Sequence, residues 1–367
     1  MTVKTSSFMN RSPLDLSQMS SIFCLIALAA VLALGPANPL IAAVALIFLG
    51  VAVMTAVHHA EVIALKVGPS LGALILALSV TVIEVGLIVS LMTNDTPDSA
   101  VVARDTVFSA VIIVTNGIVG VCLLLGGIRY KELGFHVLGA NSLLAVLAVL
   151  AGLTLVLPNY TTSTLGPTYS TSQLIFASVA SLFVYATLVY AQTRSHKDFY
   201  EPEAETISAA ETVLPSRRQA GISFVALMVS LTAVIGLAKA LSPSIEAGVN
   251  ALGAPRAVVG IVIALLVLLP ETWAAISAAR ANQLQTSLNL ALGSGAASIA
   301  LTIPVVSVFS ILTERKLTLG LDEKGIFFLV LTFIVGGMTL GTGKTTALQG
   351  VLHLILLIAF LTLSFIP

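Results

Sequence analysis

The sequence predicts an all-α polytopic membrane protein of about eleven transmembrane helices, one leading helix plus two inverted five-helix repeats. Three observations predict it. Of the 367 residues, 57% are hydrophobic and only 9% charged, with a mean hydropathy of +1.06, against roughly 25% charged residues in soluble domains. Apolar runs suited to a ~30 Å hydrocarbon core, at about 1.5 Å per residue, recur along the chain. A short series of landmark residues also appears twice, in the same order, once in each half.

The N-terminal tail and first helix occupy 1–37, with an apolar run at 20–35 after a start that carries Lys4 and Arg11. The next run follows a short turn with no clear small-residue cleavage site, so the first run reads as a retained helix rather than a signal peptide. The first repeat, 38–193, contains runs at 38–56, 70–92, 103–128, 137–157 and 172–192. A polar stretch then carries Asp198, Glu201, Glu203, Glu205 and Glu211, and 194–219 reads as an acidic cytoplasmic linker. The second repeat, 220–367, contains runs at 220–240, 257–279, 287–312, 325–342 and 346–366. No length of chain remains for a sizeable soluble domain. Cys24 and Cys122 lie inside apolar runs and read as packing residues, without a disulfide or zinc framework. Formal net charge is zero, and nothing in the charge balance points to nucleic acid.

Lys and Arg gather in cytoplasmic loops. An internal N-terminus places Lys66, Arg129, Lys131, Arg194, Lys197, Arg217, Arg218, Arg280 and Lys344 inside, and leaves the uncharged loop 158–171 outside. The loop 313–324, with Arg315, Lys316 and Lys324, runs against this count.

The repeated landmarks are "EVIALKVGP" (Glu61–Pro69) and "EAGVNALGAP" (Glu246–Pro255). Each has Glu, six residues, Gly, and then Pro one or two positions on. The helix after each carries one glutamate at matching depth, Glu84 and Glu271. Five spans per half is an odd number, so the halves run in opposite directions, the plan of secondary transporters with sites at the midplane.

A carboxylate at the bilayer centre costs about 2.5 kcal/mol or more and must be neutralised or bound. Glu84 and Glu271 have no Lys or Arg within their apolar spans, so their partners are protons, each other or a cation. Proton and hard cation would compete for one site. Thr115 and Asn116 on span four, and Ser294 and Ser298 on span nine, are candidate supporting oxygens, although small residues also serve plain helix packing. Pro270, beside Glu271, should break span eight and release backbone carbonyls.

Three motifs have simpler explanations. "GTGKTT" (Gly341–Thr346) fails as a phosphate-binding loop, because the first glycine should stand where Met338 does and both flanks are long apolar runs. It reads as a tight turn between two helices. "HHAE" (His58–Glu61) lacks the zinc-protease spacing and reads as a helix-end cluster. His353 reads as a hydrogen-bonded helix residue. No nucleophile–base pair stands out, so an enzyme is not expected. A channel with a glutamate ring is the main rival.

"LALSVTVIEVGLIVSL", "ARDTVFSAVIIVTNGIVGVCLLLGGIRY", "LTLVLPNY" and "LNLALGSGAASIALTIPVV" together resemble the calcium/proton antiporter branch of the Ca2+:cation antiporter superfamily, in its bacterial inner-membrane form. The resemblance covers nearly all of 20–366. It implies eleven helices, multi-pass insertion in the bacterial plasma membrane with a cytoplasmic N-terminus, and exchange of cytosolic Ca2+ for protons by alternating access. No cofactor or nucleotide is implied; the partners are the transported cations, the protons and the lipid bilayer. It also places the metal at Glu84 and Glu271. Many members carry Gly-Asn four and three residues before that glutamate, where this chain has Val80-Thr81 and Val267-Leu268. Thr81 is therefore a further candidate oxygen, and the choice among Ca2+, Na+ and K+ stays open, including a monovalent cation/proton antiporter with little Ca2+ activity. The acidic linker is open to a cation-sensing role or to simple solvation.

Overall fold

The computed structural model of the chain describes residues 13–35, 38–67, 69–93, 99–200, 215–251, 253, 255 and 257–366. Glu201, Glu203, Glu205 and Glu211 of the acidic linker lie outside the described residues. Helices α1 (Pro13–Leu34), α2 (Pro39–Val67) and α3 (Pro69–Met92) open the chain. Span four is α4 (Val102–Ile112), a π-helical turn (Ile113–Ile118) and α5 (Val119–Tyr130). The two-residue strand β1 (Leu133–Gly134) leads into α6 (Val137–Ala151), which ends in π and 3-10 turns, and then α7 (Thr171–Tyr190). After the linker come α8 (Arg217–Ala251), α9 (Ala257–Val267), α10 (Leu269–Arg280), α11 (Leu284–Thr313), α12 (Glu323–Leu340), β2 (Lys344–Thr345) and α13 (Ala347–Phe365).

Among the described residues, eight helices are long and apolar enough to cross a membrane, or nine with α9 and α10 taken as one span bent by 57°. The shorter apolar helices Met19–Leu34 and Leu78–Met92 accompany them. Two helices outrun the apolar runs that announce them: α2 continues through "HHAEVIALK" to Val67, and α8 continues past Pro243 to Ala251. A helix that leaves the hydrocarbon core keeps its backbone bonds while its side chains turn polar, so hydropathy marks the membrane and not the helix end.

The chain forms two compact units, Met1–Ile83 with Glu211–Ser244, and Glu84–Ala210 with Ile245–Pro367. In the first, α1 packs on α2. Ser20 and Thr55 hydroxyls meet at 3.1 Å, Ser21 lies 3.2 Å from His59 Nε2, and Ser230 of α8 donates to Ser21 at 3.0 Å. His59 is fully buried in this hydroxyl cluster, as polar groups inside an apolar bundle must be.

In the second unit, α13 packs along α5 and α7 along α11. Glycines allow the close approaches. A Cβ on Gly350 would sit 2.8 Å from the Gly120 carbonyl, and one on Gly260 would sit 2.8 Å from the backbone of Asp105. At one end of the spans, Asn159 donates to the Leu321 carbonyl at 2.9 Å and Arg104 to the Gly320 carbonyl at 3.2 Å. The Tyr169 hydroxyl donates to the Leu153 carbonyl in the π turn of span five. Burial pushes that hydroxyl up to about 12, so it stays a donor.

At the other end, "GTGKTT" forms a turn and a short strand that lead into α13. Gly343 takes φ +72°, and Lys344 and Thr345 pair antiparallel with Gly134 and Leu133. Lys344 meets Glu132 at 3.3 Å, and the Thr346 backbone N–H donates to the Gln349 side chain at 3.1 Å to start α13.

Candidate cation site

Glu84 lies on α3 and is 3% exposed. The Ser298 hydroxyl, from α11, donates to its Oε1 at 2.6 Å. Thr302, one turn further along α11, is fully buried on the same face. A short hydroxyl–carboxylate bond of this kind is charge-assisted.

Glu271 sits in the first turn of α10, where span eight breaks. Pro270 explains the break: it has no N–H, so the Leu266 carbonyl loses its i+4 donor, while a proline in the first turn of the new helix is tolerated. The N-terminal dipole of α10 faces the carboxylate with its positive end. Helices α10 and α11 pack together and are joined by 281–283, so they form an antiparallel hairpin. Counting equal rises from the turn sets Glu271 level with Gly293 on α11, and Ser298 is then only about 7 Å deeper at 1.5 Å per residue. Helix α11 is thus the common neighbour of both glutamates, by a hydrogen bond to one and by packing against the helix of the other.

The other sequence candidates are distributed as follows. Thr81 is buried on α3, one turn before Glu84. Ser294 is half-buried on α11, one turn before Ser298. Thr115 is buried in the π turn of span four and donates to the Val111 carbonyl of its own helix. The π turn packs against α10.

Asn116, next to Thr115, is fully buried and has side-chain partners on α12 and α13. Its Nδ2 donates to Thr332 Oγ1 at 2.7 Å, and its Oδ1 lies 2.9 Å from His353 Nδ1. His353 Nε2 is in turn 3.2 Å from Thr339 Oγ1. With Oδ1 accepting, His353 carries its hydrogen on Nδ1 and accepts the Thr339 hydroxyl at Nε2. In this chain of four side chains, on span four, α12 and α13, His353 is the hydrogen-bonded helix residue the sequence suggested, while the threonines were missed. Thr332 and Thr339, two turns apart on one face of an apolar helix, were its signal. Cys24 and Cys122 are both buried and unbridged.

Residues 37–194 and 222–366 match the sequence profile of the sodium/calcium exchanger protein family. The chain belongs to that family. This exchanger-family chain is 45% identical over 316 residues, 86% of each chain, to the ionic transporter y4hA of Sinorhizobium fredii. It is 34% identical over 313 residues, 84% of each chain, to the sodium-potassium/proton antiporter ChaA of Escherichia coli. In fold it is similar to native YfkE, with a TM-score of 0.73 at 14% identity, covering 96% of this chain and 100% of that one. It is also similar to the H+/Ca2+ exchanger CAX, with a TM-score of 0.72 at 14% identity, covering 95% of this chain and 89% of that one. The exchanger family is one of membrane transporters and not of enzymes, and this chain is a multi-span cation exchanger within the Ca2+:cation antiporter superfamily.

Proposed function

We propose that the protein exchanges cytosolic Ca2+ for protons by alternating access, with Glu84 and Glu271 as the shared carriers and Ser298, Ser294, Thr81 and Thr115 as supporting oxygens. The observation that carries this is the pair of membrane-embedded carboxylates, one in each half, with α11 as common neighbour. Two ionised carboxylates balance a 2+ charge; returning protonated, they carry about two protons the other way, because a pair of carboxylates within the membrane must be neutralised on both legs. The cycle uses no nucleotide.

The inverted-repeat plan, 38–193 against 220–367, has two supports. Helices α2 and α8 each outrun their apolar runs by eleven residues, from 56 to 67 and from 240 to 251. In repeat terms, span six lies on span nine as span eleven lies on span four. Taking α1 and α3 as spans gives eleven helices, with the N-terminus in the cytoplasm of a bacterial cell by the Lys and Arg count.

A monovalent cation/proton exchange is the second reading. The 34% relative is named a sodium-potassium/proton antiporter, and Thr81 and Leu268 stand where an amide would add a further oxygen. A site with few hard oxygens holds Ca2+ less tightly. The test is uptake into proteoliposomes under an imposed pH gradient, acid inside, with labelled calcium, sodium and rubidium in parallel. Calcium uptake supports the first reading, and uptake of only the monovalent ions selects the second. A strict requirement for ATP, or no pH-driven uptake at all, would overturn both.

A further inference from the structure

Between α6 and α7 the second unit has a lateral groove of about 400 Å3. Its walls are Leu138 and Val146 on α6, and Phe183, Val184 and Leu188 on α7. From Leu138 to Val146 the groove runs about 12 Å along the helix axis at 1.5 Å per residue. Phe183 is 72% exposed and Leu138 60%, so the groove is open along its side. Two aliphatic hydroxyls line it, and both are turned back on their own helices: Ser142 donates to the Leu138 carbonyl at 2.6 Å and Thr187 to the Phe183 carbonyl at 2.8 Å. That is how a hydroxyl facing hydrocarbon satisfies itself when neither water nor a partner helix is at hand.

One end of the groove has a different chemistry. It is closed by Ala191, His196, Phe199 and Tyr200. The segment 197–200 is folded across this end, with the Tyr200 carbonyl accepting from Asn289 Nδ2 and the His196 ring stacked on Phe199 at 5.4 Å between centroids. Arg194 and Lys197 flank His196 in the chain and are exposed, and the positive N-terminal end of α6 adjoins Leu138. Asp198 is the one carboxylate among the described residues 191–200, and Glu201 follows next in the sequence. The groove therefore combines an apolar slot at membrane depth with a cationic end.

We infer that this groove is a specific site for an anionic phospholipid, with one acyl chain along Leu138, Val146, Phe183 and Val184 and the phosphate group at Arg194, His196 and Lys197. Basic pockets between membrane helices recognise lipid phosphate by this combination, and a zwitterionic headgroup forfeits half of it because it brings its own cation to the basic end. The site lies apart from Glu84 and Glu271, and the inference does not rest on the transported ion.

The test uses the purified full chain, delipidated and loaded with either dioleoylphosphatidylglycerol or dioleoylphosphatidylcholine, with retained lipid counted as mass adducts after detergent exchange. A single retained phosphatidylglycerol, with phosphatidylcholine lost, is the expected result. Arg194→Gln combined with Lys197→Gln should abolish that preference, and Thr187→Trp, which fills the slot, should remove retention. Exchange in pure phosphatidylcholine vesicles should be unchanged in the charge variant, which reports that it is folded. Equal retention of both lipids by the wild type, no retention of either, or retention that survives both the charge variant and Thr187→Trp would overturn the inference.

Discussion

His353 and Asn116 fix each other's chemistry: the amide oxygen requires a hydrogen on Nδ1, and the amide nitrogen is committed to Thr332. We expect Asn116 to act through this chain, holding the π turn of span four against α12 and α13. Asn116→Ala, Thr332→Val and His353→Leu should then each weaken cation binding, by about 1–3 kcal/mol for a broken buried hydrogen bond, which is roughly five- to a hundredfold. His353→Gln, which keeps a donor and an acceptor, should recover part of the loss. A binding titration that finds only Asn116→Ala defective would instead make Asn116 a direct ligand. For the carboxylates, Glu84→Gln and Glu271→Gln should each abolish exchange, with no further loss in the double variant because the two act as one site. Wild-type cation affinity should rise with pH, since protons leave the shared oxygens as pH rises. Binding that is flat from about pH 5 to 9, beyond the ordinary range of carboxylates, would remove the shared-site idea. Glu84 and Ser298 were legible in the sequence because a charge and a small polar residue stand out in an apolar run. The partners of Asn116 were not, since Thr332 and His353 are 216 and 237 positions away and each alone is unremarkable on its helix.

Span eight and the α5–α13 contact show what individual elements add. Pro270→Ala should restore a donor to the Leu266 carbonyl and reduce the 57° bend. Because the bend sets where Glu271 points, the expected outcome is a slower maximal exchange rate with protein of normal stability; an unchanged rate would mean that the break has another cause. At Gly350, any side chain meets the backbone of α5. Gly350→Leu should cost about 1–3 kcal/mol by overpacking, read as a lower melting temperature in detergent. The sequence made the break visible, because proline has a local rule. It did not reveal where α2 and α8 end, because a helix continues past the membrane on its own hydrogen bonds while hydropathy falls.

For the whole molecule, "GTGKTT" stands as a turn and a two-residue strand between α12 and α13, without the strand–loop–helix frame of a phosphate-binding loop. Lys344→Ala removes one exposed ion pair with Glu132, a contact worth about 0–1 kcal/mol, so exchange driven by a pH gradient should be nearly unaffected. A lost or ATP-restored activity in that variant would reopen the question of a nucleotide. The composition alone made the membrane class legible. The division into two compact units was not, because it cuts through α3 and α8, two helices that continue unbroken across the cut.

The helix that packs along α5, supplies His353 and follows the β2 strand is made after all the other described helices. During synthesis, span four must therefore wait in the bilayer with Asn116 unmatched and its glycine-lined face uncovered until more than two hundred further residues have been added. The interior of the second unit closes only when α13 leaves the ribosome and inserts. A chain stopped just before Ala347 should consequently be recognised as unfinished and degraded, although every helix that carries a carboxylate of the proposed cation site has already been inserted.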